Sequence, residues 1–312
     1  MPKIITVTFN PAIDKSTTVP VLMPEKKLRC GDPVFEPGGG GINVARAIKK
    51  LGGEATAFYL AGGYAGQAFV DLLKAEGVES VVTPIAGNTR ENFIVLESAS
   101  GQQYRFGMPG PEISETEWRD CLNGLELAKD ADIIVVSGSL PKGVPDDVYL
   151  MIGAIAQRNK ARLIIDTSGD ALKKTVQAGV YLLKPNLGEL ASLVEKDDLD
   201  IELVDDAARE VIRSGHCEVM VVSMGAAGAM VVTKDIAEHI FPPAVKIKST
   251  VGAGDSMVAG MVWSIAQNRS IQDAVRYGVA CGTAATMNEG TALCRKKDAD
   301  HLFTLMKSRN VL

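Results

Sequence analysis

Five short runs rich in Val, Ile and Leu punctuate the chain: KIITVTF (3–9), DIIVVSG (132–138), ARLIIDT (161–167), VYLLKPN (180–186) and EVMVVSM (218–224). Their apolar character is too continuous for strands with one wet face, so they read as strands buried on both sides. Between them apolar positions recur at helical spacing, notably over 144–157, 170–178 and 205–214. Strand, helix and strand in alternation predict an α/β fold with a mostly parallel central sheet covered by helices on both faces. The C-terminal third reads as helical, at 256–267, 271–288 and 298–308. In such sheets ligands bind at the C-terminal strand ends, which places Ser137–Ser139, Asp166, Lys184–Asn186 and Ser223–Gly225 at the expected site.

Two segments break this rhythm. Residues 15–36 and 88–108 are β-rich, punctuated by turn residues and free of helical period. They predict a small sheet projecting from the core. With no long linker, low-complexity tract or repeat in 312 residues, the expected organisation is a single α/β domain over 1–312 with a lid subdomain formed by about 15–36 and 88–108.

Composition narrows the chemistry. A net charge of −5 gives no global attraction to nucleic acid or an anionic membrane, and no stretch is long and apolar enough to span one. The N-terminus lacks the pattern of a signal peptide, so a cytoplasmic protein without nucleic-acid or membrane partners is expected. Five cysteines (Cys30, Cys121, Cys217, Cys281, Cys294) show no metal-ligand spacing, and the three histidines (His216, His239, His301) have no Cys, Asp or Glu at motif distance. Zinc chemistry and triad hydrolysis lose their usual groups, leaving proton transfer to a carboxylate.

KSTVGAGDSM (248–257) supplies a carboxylate where a helix begins. One reading is a capped helix: Asp in the first turn complements the dipole. The other is that N–H groups of Gly252, Ala253 and Gly254 form an anion hole beside Asp255 as proton acceptor. PGGGGINVA (37–45) likewise reads either as a turn capped by Asn43 or as a close backbone approach at Gly38, Gly39, Gly40 and Gly41, with Asn43 offered to sugar hydroxyls. No Walker-type loop or GxGxxG is present. Asp14, in NPAID, is a strand-end carboxylate able to accept hydroxyl hydrogen bonds or simply to form a turn. Lys27, Arg29, Arg90 and Arg105 concentrate in the two lid segments, suit a phosphate dianion, and in a strand Lys27 and Arg29 would share a face. In KPNLGEL (184–190) Asn186 and Glu189 fall on one face of a helix start, where Glu189 either complements the dipole or holds water on a magnesium ion. SMGAAGAM (223–230) predicts a strand, a tight turn and a strand.

The order of these motifs resembles the ribokinase-like family of carbohydrate kinases, also called the PfkB family: G-G-x-x-N-x-A first, N-x-x-E next and G-A-G-D last. The stretches VFEPGGGGINVARAI, TRENF, QYRFGMPG, SGSLPKGV, KPNLGEL and STVGAGDSMVAG are most similar to its bacterial minor-type 6-phosphofructokinase branch. The resemblance implies a ribokinase-like fold with a small β-sheet lid that makes a homodimer contact. It also implies transfer of the ATP γ-phosphoryl group to a phosphosugar, fructose 6-phosphate, with Asp255 as base and Gly252–Gly254 as anion hole. By the same resemblance Asp14, Gly38–Gly41 and Asn43 hold the sugar, with Arg29, Arg90, Ser139, Lys27 and Arg105 at its 6-phosphate. Lys184, Asn186, Ser223, Gly225, Gly228, Val279 and Thr283 line the nucleotide, and Glu189 serves Mg2+ through water. Ser249, Val251, Ala285, Asn288 and Gly290 match positions that bind potassium through backbone carbonyls. The chain departs from the common pattern at Ser249-Thr250-Val251 and at Ala292, while NPAID looks more like the fructose-1-phosphate and tagatose-6-phosphate kinase branches. A sugar-phosphate sensor on the same fold is the reading from another functional class.

Overall fold

The computed structural model describes residues 2–175 and 178–309. Nine strands form the main sheet: β1 (Ile4–Thr8), β4 (Thr56–Ala61), β5 (Glu79–Pro84), β8 (Ile133–Ser137), β9 (Arg162–Asp166), β10 (Val180–Leu183), β11 (Cys217–Ser223), β12 (Ala229–Val232) and β13 (Ala237–Ile240). Their order is β13-β12-β11-β10-β9-β8-β1-β4-β5, parallel from β11 through β5, with β12 and β13 an antiparallel extension. The chain moves outward from β1 to β4 and β5, then returns to β8 on the other side of β1. The sheet therefore reverses direction at β1 and β8, the position where α/β sheets open a crevice.

Successive residues of each central strand serve opposite cores. Ile4, Ile133 and Val135 pack with α1 (Gly40–Lys50), α2 (Gly63–Ala75), α8 (Ala253–Ala266), α9 (Ile271–Thr286) and α10 (Lys296–Arg309). Ile5, Ile134 and Val136 pack with α3 (Glu115–Leu127), α4 (Val148–Asn159), α5 (Gly169–Lys174), α6 (Leu187–Leu193) and α7 (Val204–Arg213). This is why the strand runs show no alternation: both faces are dry. The 144–157 helix starts later, at Val148, because Pro145 accepts the Val148 N–H in a preceding turn. Within the predicted 170–178 helix, Val176 and Gln177 lie outside the described residues.

The lid is a second sheet, ordered β3 (Val34–Gly38), β2 (Ala12–Val19), β6 (Arg90–Glu97), β7 (Gln103–Phe106). β2 begins at Ala12, closer to β1 than the 15–36 boundary implied, and residues 20–33 form no strand. Lys27 and Arg29 therefore do not share a strand face: they stand exposed on the connection between β2 and β3, where Pro20, Pro24 and Pro33 interrupt the ladder. Register fixes the two lid faces. Asp14 sits opposite Glu36 and Asn92, and Ile94 opposite Arg105, on one face; Lys15 sits opposite Phe35 and Phe93, and Phe93 opposite Phe106, on the other.

Candidate active site

Gly252 caps α8 in the left-handed conformation, at φ 71°, where a Cβ would lie 2.8 Å from the Leu293 side chain. Glycine is thus required for the turn itself, and Gly254 faces open space beside it. The Ala253 N–H turns back to Thr250 O at 3.4 Å, a long bond that leaves the start of the helix rich in exposed donors. Asp255, in the first turn, is half-buried. Its Oδ2 accepts from Asn43 Nδ2 at 2.9 Å, joining the last motif of the chain to the first. Burial, then repulsion from Asp166 and Asp14, outweighs the Asn43 hydrogen bond and Lys184, and pushes the Asp255 carboxyl up to about 6. A carboxylate so poised accepts a proton readily near neutral pH.

Asn43 caps nothing, because α1 starts three residues earlier with Gly39 as its cap at φ 113°. Asp14 faces the same cleft from β2. Asn92 donates to it at 2.9 Å, yet burial holds its carboxyl above the usual range. Gly38, Gly40 and Gly41 are packed tightly: a Cβ would meet Asp14 Oδ2 at 2.3 Å, Ser137 Oγ at 2.3 Å and Thr8 Oγ1 at 2.5 Å respectively.

At the sheet ends Lys184 is buried and paired with Asp166 at 2.9 Å. Burial disfavours its ammonium, but Asp166, Glu189 and Asp255 prevail and raise its pKa. Ser137 donates to Asp166 at 3.3 Å. Asn186 and Glu189 close a capping box on α6: Asn186 Oδ1 accepts the Glu189 N–H, and Glu189 Oε2 accepts the Asn186 N–H. The cap engages one Glu189 oxygen, and burial raises this carboxyl too. Among the described residues no group of three or more His, Cys, Asp or Glu could chelate a metal directly. Glu189 and Asp166 as lone oxygen donors fit a hydrated magnesium ion carried by a triphosphate.

Ser223 bridges to Asn186, and the Gly225–Ala227 turn leads to Gly228, where a Cβ would fall 2.1 Å from Ile240 O. Gly228 is thus fixed by packing. Val279 is buried, and Thr283 turns its hydroxyl back to Val279 O at 2.8 Å, so this part of α9 offers a surface rather than directed polar groups. The loops at 248–251 and 286–293 are laced together: Lys248 N–H donates to Thr286 O and Ser249 Oγ to Gly290 O, at 2.8 and 2.7 Å. Asn288 is buried and spans from Ala284 O to Leu293 O. Ala285 O accepts the Asn288 N–H at 3.1 Å. The carbonyls of Ser249, Val251, Ala285, Asn288 and Gly290 all belong to these laced loops and their helix end.

The basic residues divide. Arg90 reaches Asn10 O and Met108 O at 3.0 and 3.2 Å, and burial lowers its pKa. Its Nε is buried without a partner in this structure. Arg105 crosses from the lid to Thr250 Oγ1 at 3.2 Å, beside a cavity of about 460 Å³ that Lys248 also lines. Lys27 and Arg29 stand exposed on the connection between β2 and β3. Two residues outside the sequence-predicted set complete the cleft. Asn10 donates to Ser139 Oγ at 3.1 Å, linking Ser139 to Arg90, and Asn92 anchors Asp14. The Asn-Pro turn after the first strand pointed to Asn10; Asn92 was legible only from lid register.

Comparison with known proteins places this geometry. The signature described as "pfkB family carbohydrate kinase" matches residues 7–298. The chain is 44% identical over 307 residues to the ATP-dependent 6-phosphofructokinase isozyme 2 of Escherichia coli, covering 98% of this chain and 99% of that one. It is 32% identical over 310 residues to the 1-phosphofructokinase of Borreliella burgdorferi, covering 99% of both. The crystal structure of Escherichia coli phosphofructokinase-2 in complex with potassium superposes with a TM-score of 0.95 over 98% of this chain and 100% of that one, at 44% identity. A ribokinase-like sheet, a β lid and an aspartate at the glycine-capped head of α8 agree with this, and the chain belongs to the pfkB family of carbohydrate kinases.

Proposed function

We propose that the protein transfers the γ-phosphoryl group of ATP to the 1-hydroxyl of fructose 6-phosphate, giving fructose 1,6-bisphosphate and ADP. The observation that carries the reading is Asp255: a carboxylate at a helix N-terminus, held by Asn43 and raised to about 6. Asp255 takes the hydroxyl proton as the sugar oxygen attacks the γ-phosphorus in line with the departing ADP oxygen. N–H groups at the head of α8 receive the charge of the transferring group. Asp14, Gly38–Gly41 and Asn43 orient the sugar; Arg90, Ser139 and Arg105, with Arg29 and Lys27, receive its 6-phosphate. Lys184, Asn186, Ser223, Gly225, Gly228, Val279 and Thr283 line the nucleotide. Glu189 would hold a hydrated Mg2+ ion, which when bound would neutralise triphosphate charge. The carbonyls of Ser249, Val251, Ala285, Asn288 and Gly290 would hold potassium, which when bound would stiffen the anion-hole turn. The enzyme works in the cytoplasm, as a homodimer joined through the lid.

Fructose 1-phosphate or tagatose 6-phosphate is the second reading, favoured by NPAID and by the 32% likeness to a 1-phosphofructokinase. A sensor without turnover would need neither Asp255 nor Glu189. The test is kcat/KM on the three sugars with MgATP, in potassium and again in tetramethylammonium. Expected are a strong preference for fructose 6-phosphate, lower turnover without potassium, and a loss of about 10²–10⁴-fold in kcat for Asp255→Asn. Preference for another sugar moves the assignment to that sugar, and near-normal turnover of Asp255→Asn overturns the mechanism.

A further inference from the structure

Arg46 is 2% exposed, on α1 one turn after Asn43, and carries a charge that the phosphoryl-transfer scheme leaves without a task. All five of its N–H donors find acceptors. Nε and NH2 bind Glu76 at 2.8 and 2.5 Å, NH2 also binds Glu36 at 3.0 Å, and NH1 binds Pro37 O at 2.7 Å and Asn43 Oδ1 at 3.2 Å. Burying this cation is costly, and the two carboxylates offset that cost. Core packing alone would not aim the fifth donor at the side chain that holds Asp255.

The bond to Asn43 decides which way its amide faces. With Oδ1 taken by a guanidinium donor, Nδ2 must point outward, where it donates to Asp255 Oδ2. The reverse orientation would set amide hydrogens against guanidinium hydrogens. A freely turning Asn43 could instead present Oδ1 to Asp255, a contact that only the protonated acid satisfies. We propose that Arg46 is a positioning residue for phosphoryl transfer: by locking the Asn43 amide it keeps Asp255 in the ionised form that accepts the hydroxyl proton. Glu36, on lid strand β3, also accepts from the Thr291 hydroxyl, so the guanidinium touches the lid directly and is linked to the loop after α9 through Glu36. The inference rests on Asp255 being the base.

Other charges bear on the same carboxyl. Asp166 at the end of β9, Lys184 after β10 and Asp14 on β2 face Asp255, while Glu36 and Glu76 face Arg46. These remain when Arg46 is replaced, so the readout is a difference between variants. The acid limb of the kcat–pH profile is recorded for wild type, Arg46→Met, Asn43→Ala and the double variant. Loss of one hydrogen bond to a charged acceptor moves that limb to higher pH by about one unit. We expect that shift in each single variant, with no further shift in the double variant, because Arg46 acts through Asn43. A charge felt through space would add in the double variant, and general loosening of the fold would lower kcat equally at every pH; either result overturns the proposal. So does an unmoved limb in Asn43→Ala, an arm that stands even if Arg46→Met fails to fold. Arg46→Lys is then the second arginine variant, read in the same way. Failure of the underlying reading is separate: there Asp255→Asn retains turnover, whereas failure of this inference leaves that variant inactive.

Discussion

Gly38 and Gly40 stand two residues apart in one motif, yet a methyl group would act differently at each. At Gly38 it would meet the Asp14 carboxylate at 2.3 Å, the free end of a side chain that can swing away. At Gly40 it would meet Gly138 N at 2.6 Å and the Ser137 carbonyl carbon at 2.7 Å, backbone that cannot. Gly38→Ala is therefore expected to fold normally and to misplace Asp14. KM for the sugar should rise about 10–100-fold, the worth of a hydrogen bond to a charged group. Gly40→Ala should lower the melting temperature instead. Steady-state kinetics beside a thermal melt checks both, and a lower melting temperature for Gly38→Ala at unchanged KM would reverse the assignment. At this scale Asp255 and the glycines were legible because each motif is local in sequence. Asn92 and Arg46 were not. Asn92 meets Asp14 78 residues away across the lid, and the bidentate partner of Arg46, Glu76, lies 30 residues on at α2's C-terminal end, contacts that no short pattern encodes.

Two helices begin with the same device. Ser114 and Glu117 close a capping box on α3, and Asn186 and Glu189 close one on α6. The first only starts a helix: Glu117 also accepts from the Ala86 N–H and faces no other motif residue. The second carries its carboxylate to within the influence of Lys184 and Asp166. Glutamine closes such a box as well as glutamate does. Glu189→Gln should therefore keep its stability within about 0.5 kcal/mol. It should nonetheless lose about 10–100-fold in activity or in apparent affinity for Mg2+, as supporting groups around a metal usually do. Unchanged Mg2+ dependence would leave Glu189 as a cap alone. The start of α6 was legible from the spacing of Asn186 and Glu189, whereas α3 was not singled out from the sequence. The start of α8 was placed three residues late, because the sequence does not reveal that Gly252 adopts the left-handed cap.

Across the whole molecule the outer lid face stands out. Phe35, Phe93 and Phe106 are exposed, and register aligns them with Lys15 in one row; the ammonium lies 5.5 and 5.7 Å from the first two rings. The opposite face carries Asp14, Asn92 and Arg105 to the cleft. A two-fold contact through the aromatic row would contain Phe93 twice, once from each protomer. Phe93→Glu should then weaken the proposed dimer about 10³-fold, from about 2 kcal/mol lost per copy. Sedimentation against concentration reads this directly, and an unchanged association constant would move the interface elsewhere. The parallel sheet was legible in the alternation of apolar runs, and the lid in the two β-rich segments that break it. The reversal of strand order at β1 was not, since periodicity says nothing about which strand lies beside which.

The lid's central pair has a consequence for how the molecule is made. β2 and β6 are parallel neighbours, with Asp14 opposite Asn92, but α1, β4, α2 and β5 are synthesised between them. Closing so long a loop is slow unless the intervening units have already compacted. During translation β2 thus waits with its β6 edge open while the first crossover units form beneath it. A nascent chain halted just before Arg90 displays that edge to its surroundings, which leaves this part of the lid in need of protection from pairing with another chain.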